Sequence, residues 1–425
     1  MNQNNIKTKK ISRVCFLNPH GYMMYPPPLG KTDTGGQTLY VLQLARALGK
    51  KGIKVDIITR QFENLPAEEK LWENVKIIRI PCGGSQFIPK EKIYESMPEF
   101  VANLLHHIEK TRKKYDLIHS HYWDGGYAGI MLSKMLKIPH VHTPHSLGKL
   151  KKLEMSIEEI PPQKLKRVYR FHVRNAIEQK IMNNANAVVV ICETSRIQIL
   201  QHYSIDFEKL HVIFPGVDLD FFNTKKNDND KKIKFAKNAV LTVSRLVPAK
   251  GVDRVIDALA LIKNKVNFHL YIGGGTQEAN KSDEEKMTQE QLKNLVKKHR
   301  LENRVTFLGF VPHDKVLPSF YRQADIFILA SRYEPFGLTT LEAMACGTTP
   351  IVSRVAGSRE VIIDGLNGFI FDTHDRKALA ELVLKLLTDQ KLRKKVAENA
   401  AFTIKEHYSW NKIVEKFINL YKSLL

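Results

Sequence analysis

The sequence predicts an α/β protein of two doubly wound, mainly parallel domains, and three observations predict it. Short β-rich runs alternate with helical patterns from end to end, and that alternation requires the crossover connections of a parallel sheet. A polar, charged stretch without periodicity at residues 223–234 divides the alternation into two sets. A length of 425 residues is enough for two cores of ordinary size.

The first set of strands is predicted at residues 14–17, 55–59, 75–80, 117–120, 140–142, 187–191 and 210–214, short β-rich runs of which most are rich in branched apolar residues. The second set is predicted at 239–244, 268–272, 305–307, 326–329, 350–353 and 368–371. Residues 277–288 are polar and read as a surface insertion before a helix from about 289 to 299. The expected organisation is a domain over 1–222, a linker over 223–236, a second domain over 237–402 and a terminal helix over 403–425. There is no internal repeat at solenoid periods.

Composition excludes several classes. Apolar residues make up 43% and charged ones 26%, which is globular rather than disordered. No apolar run approaches the roughly 20 residues of a membrane span, and the polar start lacks a signal-peptide core, so a cytoplasmic protein is expected. Cys15, Cys82, Cys192 and Cys346 are too scattered for a disulfide framework or a zinc ribbon and are expected in the core. The formal charge of +22 would suit nucleic acid, an anionic membrane or a phosphorylated substrate. The lysines are spread through helices without interleaved aromatics, so no nucleic-acid partner is expected. A peripheral membrane contact stays open.

The most informative segment is Glu334-Pro-Phe-Gly-Leu-Thr-Thr-Leu-Glu342. It follows a predicted buried strand and opens a helix, so it lies at a strand's carboxyl end, where open α/β sheets bind ligands. Free N–H groups from Phe336 through Gly337 and Leu338 to Thr339, with the helix dipole, favour a phosphate. Thr339-x-x-Glu342 also fits a capping box, in which Glu342 only bonds backbone N–H groups. Upstream, Arg245-Leu-Val-Pro-Ala-Lys250-Gly251 joins a strand to an amphipathic helix. A lysine there opposes the helix dipole unless an anion compensates, and a diphosphate would do so. In the first half, Thr34-Gly35-Gly36-Gln37 leads into a helix, and adjacent glycines permit close approach of a ligand.

The E-x7-E pattern followed by Ala-Met-Ala-Cys-Gly resembles the nucleotide-sugar site of the retaining GT-B glycosyltransferases, glycosyltransferase family 4. The resemblance implies two Rossmann-like domains facing each other across a cleft, with the last helix crossing back to the N-terminal domain. It implies that Glu334 touches the donor hexose, the glycine loop its phosphates and Glu342 the ribose, while Arg245 and Lys250 neutralise the departing diphosphate. Two cations and a helix N-terminus can stabilise that charge by preorganised electrostatics. No Asp-x-Asp stands where a divalent ion would need it. His119-x-His121 and His140-x-His142, with His145, have metal-like spacing, but alternate residues of a strand share a face without any metal. No metal or other cofactor is expected. Ile272-Gly-Gly-Gly-Thr276 lacks the spacing of a dinucleotide fingerprint.

Within that family, Thr-Gly-Gly-Gln37, Phe87-Ile-Pro-Lys90, His121-Tyr122-Trp-Asp124-Gly-Gly and Thr143-Pro-His145-Ser-Leu-Gly resemble the sucrose-phosphate and mannosylfructose-phosphate synthases. The match implies that Gly36 and His145 serve the donor and that Gly35, Gln37, Lys90, Tyr122, Lys151, Arg170 and Arg174 surround a phosphorylated fructose. Arg170 and Arg174 are four apart on a helix predicted over 163–182, which would aim both at one phosphate. The loop over 150–162 departs from the plant enzymes' pattern. The expected partners are a nucleotide sugar, UDP-glucose or GDP-mannose, and fructose 6-phosphate. Two alternatives remain: a transferase acting on a lipid or polysaccharide acceptor at a membrane, and an inactive sugar-nucleotide-binding protein.

Overall fold

The computed structural model describes residues 10–28, 31, 33–157, 163, 167–228, 230, 233–275 and 281–425. They form two compact units, one running to Phe214 and including Ile413–Leu425, the other spanning Pro215–Lys412.

The first unit holds an eight-stranded sheet in the order β3-β4-β2-β1-β5-β6-β7-β8. Its strands are β1 (Arg13–Leu17), β2 (Lys54–Gln61), β3 (Glu68–Trp72), β4 (Val75–Pro81), β5 (Leu117–His121), β6 (His140–Thr143), β7 (Ala187–Val190) and β8 (Leu210–Val212). All neighbours run parallel except β3, which pairs antiparallel with β4. β3 is absent from the predicted strands because Glu-Glu-Lys-Leu-Trp has the charged composition of a solvated edge rather than an apolar run. In the centre β1 is fully enclosed, with Phe16 in register with Ile57 on one side and His119 on the other. Strands buried on both faces read as continuous apolar runs, which is why these were legible.

The second unit holds a six-stranded, wholly parallel sheet in the order β11-β10-β9-β12-β13-β14. Its strands are β9 (Ala239–Val243), β10 (His269–Gly273), β11 (Val305–Gly309), β12 (Ile326–Leu329), β13 (Thr349–Ser353) and β14 (Phe369–Phe371). The helix Val252–Ile262 buries Val252, Val255, Ile256, Leu259 and Ile262, a spacing that places one apolar stripe against the sheet. With Leu379, Val383 and Leu386 of the helix Arg376–Thr388 they form one core. Leu259 is fully buried there, so Leu259→Ala is expected to cost about 2–5 kcal/mol.

Four boundaries differ from expectation, one being that the second unit runs to Lys412 rather than 402, so that only Ile413–Leu425 of the expected terminal segment belongs to the first unit. The first unit ends at Phe214 rather than 222, because Val217 bridges to Ser409 and the Phe222 ring packs on His313 at 5.0 Å. The polar stretch expected to link the domains is folded onto the second unit. Arg322 clamps Asp230 with contacts of 2.8 and 2.9 Å and also donates to the Asn223 carbonyl. Finally, the helix expected from about 289 begins at Asp283, since Ser282 and Glu285 form a capping box. Residues 277–280 of the expected insertion lie outside the described residues.

In the terminal helix Trp410–Ser423, Tyr421 is fully buried and its hydroxyl lies 2.6 Å from His119 Nδ1 on β5. All four cysteines are free and buried. No described helix is long and apolar enough to cross a membrane.

Candidate active site

In the second unit, the carboxyl ends of β9 and β12 carry the two loops singled out above. Pro248–Lys250 forms one turn of 3₁₀ helix, and Gly251 then enters the helix Val252–Ile262 at φ 65°. A Cβ on Gly251 would stand 2.0 Å from the Ala330 carbonyl oxygen at the end of β12, so only glycine lets these loops touch. Arg332 reinforces the contact. Its backbone N–H donates to the Ala249 carbonyl at 2.8 Å and its guanidinium forks onto Asp253 at 2.8 and 2.5 Å.

Lys250 Nζ consequently meets Glu334 Oε2 at 2.6 Å, with side chains only 17% and 14% exposed. The anion that compensates Lys250 at this helix end is therefore Glu334 itself, so the macrodipole argument alone no longer demands a phosphate. The ammonium has three donors, and Glu334 occupies one of them. Arg245 is exposed, with no side-chain partner among the described residues. Phe336 is buried, its carbonyl accepting from Ser358 N–H at 2.7 Å. Gly337 caps the helix Leu338–Ala345 at φ 96°, where a Cβ would stand 2.6 Å from Leu329. Leu338 and Thr339 are the first two helical residues, and N–H groups in that position have no intrahelical acceptor.

No side chain caps this helix, so the capping-box reading of Glu342 fails: Gly337 is the cap, and Thr339 is already inside the helix. Glu342 is 5% exposed and accepts from Tyr321 OH at 3.3 Å, with His313 Nε2 2.7 Å from its other oxygen. Burial by itself would lower the His313 pKa, but the facing Glu342 overrides it and the net shift is upward. His313 was not singled out in the sequence, because its partner lies 29 residues away across the fold.

In the first unit, Gly35 is extended with open space around its Cβ direction, and Gly36 opens the helix Gly36–Lys50. Gln37 donates to Asn18 Oδ1 at 2.7 Å just past β1. His145 follows β6 in the left-handed region at φ 57°. Its Nε2 is 3.1 Å from His121 Nδ1, and Tyr40 approaches edge-on at 5.0 Å. Burial pushes its pKa down to about 3, with a smaller contribution from His20, so the ring is neutral at pH 7.

Tyr122, another left-handed residue at φ 64°, is held by Arg174 Nη1 at 3.0 Å from its hydroxyl. Lys90 Nζ pairs with Asp33, and its N–H donates to the same carboxylate at 3.1 Å. Lys151 sits in the helix Gly148–Ile157. Residues 158–162 of the following loop, and 164–166 of the helix predicted over 163–182, lie outside the described residues.

The two arginines do not share a helix face. The helix begins at Phe171 and Arg170 is its cap at φ 47°, with its guanidinium bonded to Glu95 and to Tyr94 OH at 2.9 Å. Arg174 is buried, and its donors go to Glu178 at 2.8 Å, Tyr122 OH, and the carbonyl and hydroxyl oxygens of Ser146 at 2.9 and 3.0 Å. A guanidinium has five N–H donors, so this one is nearly saturated by the protein. Its position supports Tyr122 and the loop after His145.

Sequence reading also missed a buried hydrogen-bonded contact between His20 and Asp124. His20 Nδ1 lies 2.9 Å from Asp124, the His20 N–H donates to it at 3.2 Å, and the ring is 4.7 Å from Tyr122. Asp124 stood inside a quoted motif, but nothing local in the sequence pointed to a histidine 104 residues earlier. The histidines with metal-like spacing are bonded to one another and to Ser120, Thr143 and Tyr421. Among the described residues no group of three or more His, Cys, Asp or Glu is arranged to hold a metal ion.

The second unit is thus a doubly wound sheet with a paired lysine and glutamate beside a glycine-capped helix. Residues 223–402 match the family described as "Glycosyl transferases group 1", and residues 34–221 match "Glycosyltransferase Family 4". The chain is similar to the mannosylfructose-phosphate synthase of Agrobacterium fabrum, at 36% identity over 97% of this chain and 92% of that one. It is also similar to the D-inositol 3-phosphate glycosyltransferase of Corynebacterium glutamicum, at 29% identity over 97% of each. Among solved structures, sucrose-phosphate synthase from Thermosynechococcus elongatus superposes with a TM-score of 0.81 at 28% identity, covering 97% of this chain and 99% of that one. The chain belongs to the GT-B glycosyltransferases of family 4 and is a nucleotide-sugar glycosyltransferase.

Proposed function

We propose that this enzyme transfers a hexose, with retention at the anomeric carbon, from a nucleotide sugar to a phosphorylated sugar, fructose 6-phosphate being the acceptor to test first. The observation that carries the reading is the Lys250–Glu334 pair at 2.6 Å beside the glycine-capped helix. The donor's diphosphate would lie over Gly337, Leu338 and Thr339, where the N–H groups and helix dipole oppose its charge. Lys250 and the exposed Arg245 would take up the charge that grows as the glycosidic bond breaks. Glu334 would bond the hexose hydroxyls while fixing Lys250, and Glu342, held by His313 and Tyr321, would take the ribose.

On the first unit, His145 would meet the transferred sugar. Lys90 and Lys151 would supply the acceptor phosphate's countercharge, with Gly35, Gln37 and Tyr122 around the sugar and Arg174 in a supporting role. The acceptor hydroxyl would attack from the face the leaving group vacates and pass its proton to a phosphate oxygen of that group. No step requires a metal or other cofactor.

A phosphorylated acceptor is supported by the names of the relatives, two of which make a sugar phosphate while the third acts on inositol 3-phosphate. The third name makes an inositol phosphate the second acceptor to test. Incubating the enzyme with UDP-glucose or GDP-mannose and each acceptor, with mass spectrometry of the products, tests the reading. A disaccharide phosphate or glycosyl-inositol phosphate supports it, and transfer only to lipid or polysaccharide acceptors refutes it.

A further inference from the structure

His121 closes β5, is fully buried, and lies against Phe16 and His119 with ring centroids at 5.0 and 4.4 Å. Its Nδ1 stands 3.1 Å from His145 Nε2. Its other nitrogen, Nε2, is buried with no hydrogen-bond partner among the described residues. Burial, with the neighbouring histidines adding to it, keeps both rings neutral. One proton therefore lies between them, and it has two placements.

If His145 Nε2 carries that proton, a neutral His121 must hold its own on Nε2, leaving an N–H buried without an acceptor. If His121 Nδ1 carries it, the buried Nε2 is a bare lone pair. Orphaned buried N–H groups are the rarer defect in folded proteins. We propose that His121 donates from Nδ1 to His145 Nε2 and so fixes His145 as the tautomer protonated on Nδ1. His121 is then a positioning residue: it gives His145 a donor N–H, which suits a sugar hydroxyl or ring oxygen and not a proton to be removed. It also pins a ring whose backbone sits in the strained left-handed region. The functional half of this inference rests on His145 facing the transferred sugar, whereas the tautomer itself does not.

The wild-type protein, labelled with ¹⁵N only in histidine, gives the first test. Imidazole ¹⁵N–¹H correlation spectra, with His145 assigned by its loss in His145→Ala, should show Nδ1 protonated and Nε2 bare. The reverse pattern overturns the proposal whatever the variants do. His121→Asn keeps an N–H donor near the Nδ1 position, while His121→Leu removes it. The asparagine variant should keep the His145 pattern and near-normal kcat. The leucine variant should show mixed tautomers and lose about 10–100-fold in kcat with little change in donor KM, by analogy with the range found for partners that orient metal-bound imidazoles. An unchanged tautomer in a folded His121→Leu protein overturns the proposal. Full activity of His145→Ala, with the wild-type spectrum as expected, would instead remove His145 from the site and leave the tautomer assignment standing.

Discussion

Lowering the pH from 7.5 to 5.5 should weaken the first unit far more than the second. His119, His121, His140 and His142 are at most 1% exposed and bonded in neutral form. Burial drives each pKa down, to about 3 for His140 and well below the ordinary histidine value for the others. In the unfolded chain each titrates near 6.5. Between those limits the unfolded chain binds protons that the folded unit refuses, so this stability is complete above pH 6.5 and is lost as the pH falls towards the folded values. One such histidine contributes about 1.4 kcal/mol over this interval, and the four together with His145, also pushed down to about 3, contribute about 7 kcal/mol, against a typical domain stability of roughly 5–15 kcal/mol. The assay is urea unfolding followed by tryptophan fluorescence in a Trp410→Phe variant, which leaves Trp72 and Trp123 of the first unit as reporters. His140→Gln should remove about a fifth of the pH dependence. A change below about 1 kcal/mol between the two pH values would refute the neutral buried cluster.

Lys250→Ala should lower kcat more than it raises the donor KM, because the ammonium acts on charge that develops in the transition state; an effect confined to KM contradicts that role. His313 behaves in the opposite sense to the buried cluster. Its raised pKa means that the stability from its pair with Glu342 is full below about pH 6.5 and is lost as pH rises through the folded value, so the wild-type advantage over His313→Gln should shrink from pH 6 to 8.5. A constant difference in melting temperature would place the proton elsewhere. Glu342→Gln should weaken nucleotide binding in titration calorimetry, and unchanged affinity would leave Glu342 purely structural. Arg174→Ala should cost about 3–5 kcal/mol of stability by stranding Glu178. It should lower kcat/KM for phosphorylated and unphosphorylated acceptors alike, and a loss confined to the phosphorylated one would restore Arg174 as a phosphate ligand.

How much was legible follows from how local each signal is. Most parallel strands of both sheets are self-contained apolar runs, β5 and β6 carrying histidines instead, and the loop from Glu334 to Glu342 is contiguous, so a linear reading finds them. The turns at Gly337 and Gly251 were visible as strand-to-helix junctions, but the cap read on Thr339 falls on Gly337 instead. By contrast, β3 exists only because Val75–Pro81 offers it an edge, and its charged residues give no strand pattern. The arginine pair failed for a related reason. A spacing of four implies a shared face only inside a helix, and Arg170 is the cap of this one. Lys250 with Glu334, His20 with Asp124, and His313 with Glu342 are contacts made by the fold across 84, 104 and 29 residues, which no local pattern encodes.

The most direct test of hexosyl transfer to a sugar phosphate is a product analysis in one vessel. The enzyme is given a nucleotide sugar with equal amounts of fructose 6-phosphate and fructose, and the products are separated by mass spectrometry and their anomeric configuration read by NMR coupling constants. The account predicts a disaccharide phosphate with the donor's anomeric configuration retained and little or no free disaccharide. Equal use of the two acceptors, an inverted product, or nucleotide release without a transferred sugar would contradict it.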